Sequence, residues 1–314
     1  MNVFVIGGDG YLGAHICRKF VREGHRVTVF GPVMQEPAAQ DLAAEVQRME
    51  GDITDAPSLY QAMMKAKPDR VIHLAAFGAG KDGLAKSAQR SPKKAIDVNI
   101  TGFYHVLEAV GTLEIPRMIW SGSTTVFGHA KDYPEERVKE DAKVSPTTIY
   151  GSTKMMNELM ARIYREQYGL DIVCLRLPLI YGPGKWYKGA AAAIVDLFEQ
   201  SVSEQETIIR CGNEPLDLMY VEDMADAFHL AAVAEGKPDD VYHVVSHTAS
   251  VPELAKIVKR LIPGYRLKLA IGESAMIYPL IDASKIEKDL GFVPRYSVED
   301  ASKHYLEHVW GKPL

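Results

Sequence analysis

VFVIGGDGYLG, Val3 to Gly13, decides how the rest of the chain is read. Val3 to Ile6 are apolar without alternation, as in a strand covered on both faces of a sheet. Gly7, Gly10 and Gly13 then stand between that strand and a helix-patterned stretch, 11–23. Glycines at such a turn allow a tight reversal, a close approach of pyrophosphate to backbone N–H groups, and close helix-on-sheet contact, with the phosphates at the helix N-terminus. The spacing is GxxGxxG rather than GxGxxG, and a purely structural turn would also be rich in glycine.

Outward from this turn the same rhythm continues. RVTVF (26–30), VQRME (46–50), a helix over 56–66, RVIHLAA (70–76), a helix over 93–112, RMIW (117–120), a helix over 151–168 and DIVCLRL (171–177) follow in order. Continuous apolar strands separated by helices predict an α/β chain with a doubly wound parallel sheet, a Rossmann domain. After Arg176 the rhythm changes: YGPGKWYKG (181–189) reads as loop, 189–200 as helix, and TIIRC (207–211) and VYHVV (241–245) mix with helices at 222–234, 251–262 and 282–290. The simplest division gives residues 1–180 to the dinucleotide-binding domain, with 217–247 returning to it, and 181–216 and 248–314 to a smaller mixed α/β substrate lobe.

Composition narrows the partners. The 314 residues are 47% hydrophobic and 25% charged with a net charge of -5, close to ordinary globular usage. No basic run is present to neutralise phosphates, so nucleic acid is not an expected partner. No apolar run approaches the ~18 to 20 residues of a membrane span, and the chain opens on a strand-like MNVFVIGG, so no membrane partner and a cytoplasmic setting are expected. Cys17, Cys174 and Cys211 form no metal spacing and read as core thiols. His243 and His247 invite a metal reading but lack a third ligand, so no metal is assigned.

GDITD (51–55) follows the third strand, where Asp52 and Ile53 are placed to meet an adenine ring. Asp52 would serve equally as a helix cap, although Asp55 is the better cap by position. VIHLAAF (71–77) ends the fourth strand in small residues, Ala75 and Ala76, as a cofactor lying across strand ends requires. Tyr150 and Lys154, in YGSTK (150–154), are spaced i, i+4 and share one helical face. A phenol is a poor base at neutral pH, and a neighbouring ammonium favours its ionised form.

Together these stretches resemble the extended short-chain dehydrogenases/reductases, in the branch of NAD-dependent epimerases and dehydratases. The resemblance runs from GGDGYLG through GDITD, VIHLAA, DVNITGFYHVLEA, SGSTTVFG, KEDAKVSPTTIYGSTK, LRLPLIYGPG and YVEDMADAF to DASKIEKDLGFVP. It implies Tyr150 as acid/base and Lys154 as the residue that tunes it and holds the nicotinamide ribose. Ser123 would hydrogen-bond the substrate oxygen. Asn99 would order the active-site helix and its water, or simply tie two backbone segments as a buried amide. Tyr11, Leu12, Leu74, Ser121 and Pro178 join the glycines, Asp52, Ile53, Ala75 and Ala76 in the implied cofactor set. Thr124 and Thr125 stand where dehydratases of this family carry Asp-Glu, so dehydration is not expected. A homodimer paired through the helices at 93–112 and 151–168 is implied, and the Met-rich KMMNELMARIY (154–164) would pack a core or that dimer face.

Three departures bear on the ligands. Gly31 ends the second strand where NAD-specific relatives carry Asp or Glu, and no Arg or Lys follows closely, so NAD or NADP is the expected cofactor with a lean to NAD. Leu179 replaces the Asn that follows the LR strand in nucleotide-sugar epimerases, and Leu216 replaces an Arg that would meet the diphosphate. Burying a diphosphate without partners is costly. The expected activity is hydride transfer at a secondary hydroxyl or keto carbon of a sugar-like compound. A small sugar acid, lactone or other compound without a nucleotide is the alternative substrate. A non-catalytic cofactor sensor is the alternative of another class. Trp186 and Tyr187 either line the substrate pocket or pack the lobe interface, whereas Val221 and Asp223 read as structural.

Overall fold

A computed structural model describes residues 1–34, 38–78, 82–185, 187–274 and 277–314. The first half alternates as its apolar runs predict: β1 (Asn2–Ile6), α1 (Tyr11–Arg22), β2 (Arg26–Gly31), β3 (Val46–Glu50), α2 (Ala56–Ala66) and β4 (Arg70–His73). Then come α3 (Leu84–Arg90), α4 (Pro92–Ile96), α5 (Gly102–Thr112), β5 (Arg117–Ser123), β6 (Arg137–Val138), α6 (Ile149–Tyr168) and β7 (Ile172–Leu177). The rest comprises β8 (Leu179–Tyr181), α7 (Ala192–Glu199), β9 (Thr207–Cys211), β10 (Leu216–Tyr220), α8 (Val221–Val233), β11 (Val241–His243) and β12 (His247–Ala249). The chain ends with α9 (Val251–Leu261), β13 (Leu267–Ile271), β14 (Leu280–Ile281), α10 (Ser284–Leu290) and α11 (Val298–Trp310).

Seven strands form one parallel sheet in the order β3-β2-β1-β4-β5-β7-β11. Both faces are covered, which is why β5 is buried along its whole length. On one face Phe20 of α1, Phe228 of α8 and Ile286 of α10 pack over Val3 and Val5. On the other, Leu59 of α2, Val106 of α5 and Ala161 of α6 pack over Phe4, Ile6 and Trp120. Strand order reverses between β1 and β4, and in such sheets the ligand crevice lies beyond the carboxyl ends at that reversal. The Rossmann architecture read from the apolar runs is the one observed.

The remaining strands build small sheets: β12-β10-β8, β13-β9 and β14-β6. Within 217–247, α8 packs on α1 and β11 joins the large sheet, whereas β10 pairs with β8 and β12. A third apolar cluster, with Tyr181, Phe198, Tyr220 and Tyr305 at its centre, underlies these sheets.

Three local expectations need correction. The helix expected over 93–112 is interrupted by a π-helical turn, Asp97–Thr101, between α4 and α5. There the Asn157 side chain donates to the Asn99 carbonyl at 2.9 Å, giving that backbone oxygen a partner from outside the helix. Helix α6 starts at Ile149, two residues earlier than expected, because Thr148 caps it by accepting from the Gly151 N–H. Cys17 and Cys174 are core thiols, but Cys211 is only half-buried at the end of β9. No described helix is long and apolar enough to cross a membrane.

Candidate active site

The glycine turn closes tightly on itself. A Cβ at position 13 would lie 2.3 Å from the Gly7 carbonyl oxygen and 2.5 Å from the Gly8 Cα, so only glycine lets α1 start this close to β1. Gly7 has φ +83°, and a Cβ there would approach the Ala75 nitrogen to 3.2 Å. The turns after β1 and β4 therefore abut, with half-buried Leu74, Ala75 and Ala76 beside the loop. Gly10 is the N-cap of α1 and no side chain caps that helix. Tyr11 is buried, with its hydroxyl donating to the Gly182 carbonyl at 3.2 Å, and Leu12 packs against the core. A backbone cradle without Cβ atoms, at an uncapped helix start, fits a dinucleotide's diphosphate.

The adenosine end is less conventional. Asp55 caps α2, and Asp52 accepts from the Thr54 N–H and hydroxyl at 2.8 Å through one oxygen. Ile53 is turned into the core, where a Cβ on Gly102 would touch its side chain at 2.5 Å. At the end of β2, Gly31 faces open space. Close by in the glycine turn, Asp9 accepts from the Arg48 Nε at 3.1 Å, and Arg48 also donates to the Ala39 carbonyl.

Tyr150, Lys154 and Ser123 come together where β5 ends against the start of α6. Lys154 is buried and its Nζ donates to the Ser121 carbonyl at 2.7 Å. That ammonium lies 5.7 Å from the Tyr150 ring centroid and 5.6 Å from the Trp120 ring. The Ser123 hydroxyl oxygen accepts from the Thr125 hydroxyl at 2.9 Å and from the Thr125 N–H at 3.2 Å, leaving its own proton to donate. Thr124 is buried beside it. Asn99 accepts from the Phe77 N–H at 2.7 Å and donates to the Thr153 hydroxyl at 3.1 Å. Its amide thus ties the turn after β4 to α6.

Residues 3–244 match the NAD dependent epimerase/dehydratase family. The chain belongs to that family. The UDP-glucose 4-epimerase of Lactobacillus helveticus is 26% identical over 320 residues, covering 96% of this chain and 94% of that one. Among solved structures, the UDP-glucose 4-epimerase of Thermotoga maritima, crystallised with UDP-glucose, superposes with a TM-score of 0.88 at 24% identity, covering 99% of both chains. The L-threonine dehydrogenase of Clostridium difficile superposes with a TM-score of 0.87 at 21% identity, over 99% of this chain and 98% of that one. The cofactor of the family is NAD.

Against this family background, the electrostatics of the site depart from the simple expectation that Lys154 makes Tyr150 more acidic. Burial pushes the Tyr150 phenol above its ordinary value, Tyr187 and Tyr278 add to that, and only its hydrogen bond with Ser123 opposes. Burial also lowers Lys154 to about 8, with Cys174 and Glu158 pulling the other way. Without ligands, then, the phenol keeps its proton, because the desolvation cost of an anion outweighs an ammonium whose nearest partner is a carbonyl.

The two leucines are placed apolarly: Leu179 on β8 and Leu216 on β10 both pack against the aromatic cluster of the small sheets. Pro178 is half-buried between β7 and β8. Trp186 lies outside the described residues. Tyr187 packs edge-on against Tyr11, ring centroids 6.2 Å apart, and it adds to the rise of the Tyr150 phenol together with Tyr278, which the sequence reading missed. Lys185 was missed as well: it is buried beside Tyr11 and Tyr187, and nothing in a glycine-flanked loop announces a buried lysine. Asp223 is structural, accepting from the Arg295 N–H at 2.9 Å, and Val221 is core. His243 bonds to Asp282 and Arg176 while His247 bonds to Tyr181, so the two do not converge.

Proposed function

We propose that this chain transfers hydride between a nicotinamide cofactor and a secondary hydroxyl or keto carbon of a small sugar-like compound that carries no nucleotide. When bound, the nicotinamide accepts or supplies the hydride. Ser123 donates its hydroxyl proton, directed at Tyr150 in the unliganded site, to the substrate oxygen and orients it. Tyr150, protonated in the unliganded state, gives its proton to that oxygen in reduction and takes it back in oxidation. Lys154 stabilises the phenolate that oxidation requires and holds the cofactor ribose.

The observation that carries the substrate reading is the packing of Leu179 and Leu216 into the aromatic cluster, which removes two polar partners a buried diphosphate would need. The L-threonine dehydrogenase of the same fold, named for a substrate without a nucleotide, supports this reading. Thr124 and Thr125 offer no carboxylate to drive water elimination. A second reading, nucleotide-sugar epimerisation, is favoured by the curated relative.

The deciding experiment incubates purified protein with NAD or NADP and a panel of hydroxy acids, sugar acids, lactones, free sugars and UDP-sugars, following nicotinamide absorbance and product stereochemistry. Turnover of a small compound with none of UDP-sugars supports the proposal. Epimerisation of a UDP-sugar without net nicotinamide change establishes the second reading instead. We also infer that two copies pair through the outer faces of α5 and α6, where Tyr104, Met156, Leu159 and Ile163 remain exposed.

A further inference from the structure

We propose that Lys185 is the seat of an anionic group, a carboxylate or phosphate oxygen, brought in by the ligands of the active site. The inference rests on the reading of that site as a hydride-transfer centre and names the ligand chemistry it selects.

Lys185 lies in the loop after β8, where Gly182 at φ +144° and Gly184 at φ +81° turn the chain inward. A Cβ at position 182 would strike Val221 at 2.5 Å, so the loop is held against α8 and Tyr11. The result is a lysine only 8% exposed. Its ammonium donates to the Ile180 carbonyl at 2.6 Å and lies 4.9 Å from the Tyr187 ring centroid and 5.7 Å from that of Tyr11. Burial lowers it to about 7, with no acidic group opposing.

The buried arginines have carboxylate partners, Arg176 held by Glu158 and Arg117 by Asp171, whereas Lys185, like Lys154 of the active site, has a carbonyl as its hydrogen-bond acceptor. Lys185 has no ion pair among the described residues, and an ammonium with one carbonyl and two ring faces is left with unused donors. Its neighbours say where a counter-charge would come from. Tyr11 is the first residue of α1, whose uncapped N-terminus adds positive potential. Tyr187, which covers the ammonium, packs edge-on against the Tyr11 ring with centroids 6.2 Å apart. Lys185 therefore stands against the residue that opens α1, beside the dinucleotide cradle, where an incoming anion meets the ammonium and the helix start together.

Two sources share this chemistry, the cofactor's diphosphate and an acidic group on the substrate. The test compares full-length wild-type protein with Lys185→Met, which keeps the apolar stem, and Lys185→Arg, which keeps the charge. NADH affinity is measured by fluorescence, and thermal stabilisation by inorganic phosphate and by malonate is measured at saturating NADH. A tenfold or greater loss of NADH affinity in Lys185→Met, restored in Lys185→Arg, supports the inference with the diphosphate as its source. Unchanged NADH affinity, with phosphate or malonate stabilising wild type and Lys185→Arg but not Lys185→Met, supports it with the substrate as source. Equal responses of all three proteins to every probe overturn it. So does a Lys185→Met protein that loses stability without ligands at pH 6, since that marks a structural latch to Ile180. Failure of the hydride-transfer reading looks different: no compound in the panel turns over, whatever Lys185 does to anion binding.

Discussion

A Cβ at position 151 would lie 2.2 Å from the carbonyl oxygen of Thr125, so Gly151 lets the start of α6 rest directly on the segment that follows Ser123. This contact sets Tyr150 and Lys154 against the end of β5. Gly151→Ala forces the helix start and the Thr125 backbone apart. The expected outcome is a fall in kcat/KM of ~10²-fold from a displacement of about 1 Å, together with a lower Tm. Steady-state kinetics and thermal unfolding check both, and unchanged kinetics would show that the contact does not position the site.

Tyr150→Phe isolates the proton-transfer step. It removes the hydroxyl and keeps the ring that packs with Ala76, Phe77 and Leu84. A loss of ~10²- to 10⁴-fold in kcat is expected for removal of a general acid/base, with Tm unchanged or higher. Activity at the wild-type level in this variant would exclude Tyr150 as the acid/base.

Lys154 and Lys185 make a prediction about pH and stability. Burial lowers both from an ordinary 10.5, to about 8 and about 7. Below those values both states of the protein carry the charge and the folded state bears the full burial penalty. As pH rises toward 10.5 only the unfolded chain stays protonated, so the penalty is relieved and stability rises. Replacing either lysine by Met should therefore raise the Tm of the unliganded protein at pH 6 by ~2–4 °C, as about 1 kcal/mol does in a chain of this class. The gain should shrink toward zero by about pH 10.5, where the unfolded lysine also loses its charge. Thermal melts across this range, wild type against each variant, decide it.

How much of this was legible beforehand depends on how local each cause is. The large sheet was, because apolar runs such as NVFVI and IVCLRL are dictated by burial on both faces. So was the pairing of Tyr150 with Lys154, a matter of helical spacing. The π-helical turn at Asn99 was not, because it depends on Asn157, 58 residues away. Nor were the short helix α3 and the C-terminal α11, which the alternating rhythm of the first half did not suggest. The rise in the Tyr150 phenol was also hidden: spacing puts an ammonium near it, but burial and the rings of Tyr187 and Tyr278 come from tertiary packing. Lys185 was missed for the same reason.

Gly31 carries a prediction about the choice of cofactor. Nothing lies within 4 Å of where its Cβ would be, and its backbone does not require glycine, so a side chain fits there. Gly31→Asp supplies the carboxylate that binds a ribose 2′-OH and repels a 2′-phosphate. The expected result is a shift of ~10-fold in the ratio of NAD to NADP affinities toward NAD, the size of one charge-assisted hydrogen bond. Fluorescence titration with NADH and NADPH measures it. An unmoved ratio would mean that Asp9, paired with Arg48 in the glycine turn, already reads the ribose.

The last prediction concerns the pairing of two copies. Met156, Leu159 and Ile163 recur on one face of α6 and are 42%, 45% and 46% exposed, with Tyr104 of α5 and Ile96 of α4 at 43% and 46%. Other apolar residues of α6 do pack inward, Met155 under Val126, Met160 under the large sheet and Tyr150 with Ala76 and Phe77, so these three are not needed for the fold. A group of large apolar side chains across three helices is more than scattered surface exposure and marks a contact surface. Leu159→Glu, or Leu159→Glu with Ile163→Lys, should convert a dimer to a monomer in light scattering coupled to gel filtration while leaving the circular dichroism of the folded chain intact. A wild-type protein that is monomeric at micromolar concentration, or variants that stay dimeric, would move the interface elsewhere. Because α6 also carries Tyr150 and Lys154, the monomer should bind NADH less tightly if pairing holds the helix in register, and equally well if α6 is fixed by Thr148, Gly151 and Asn99 alone.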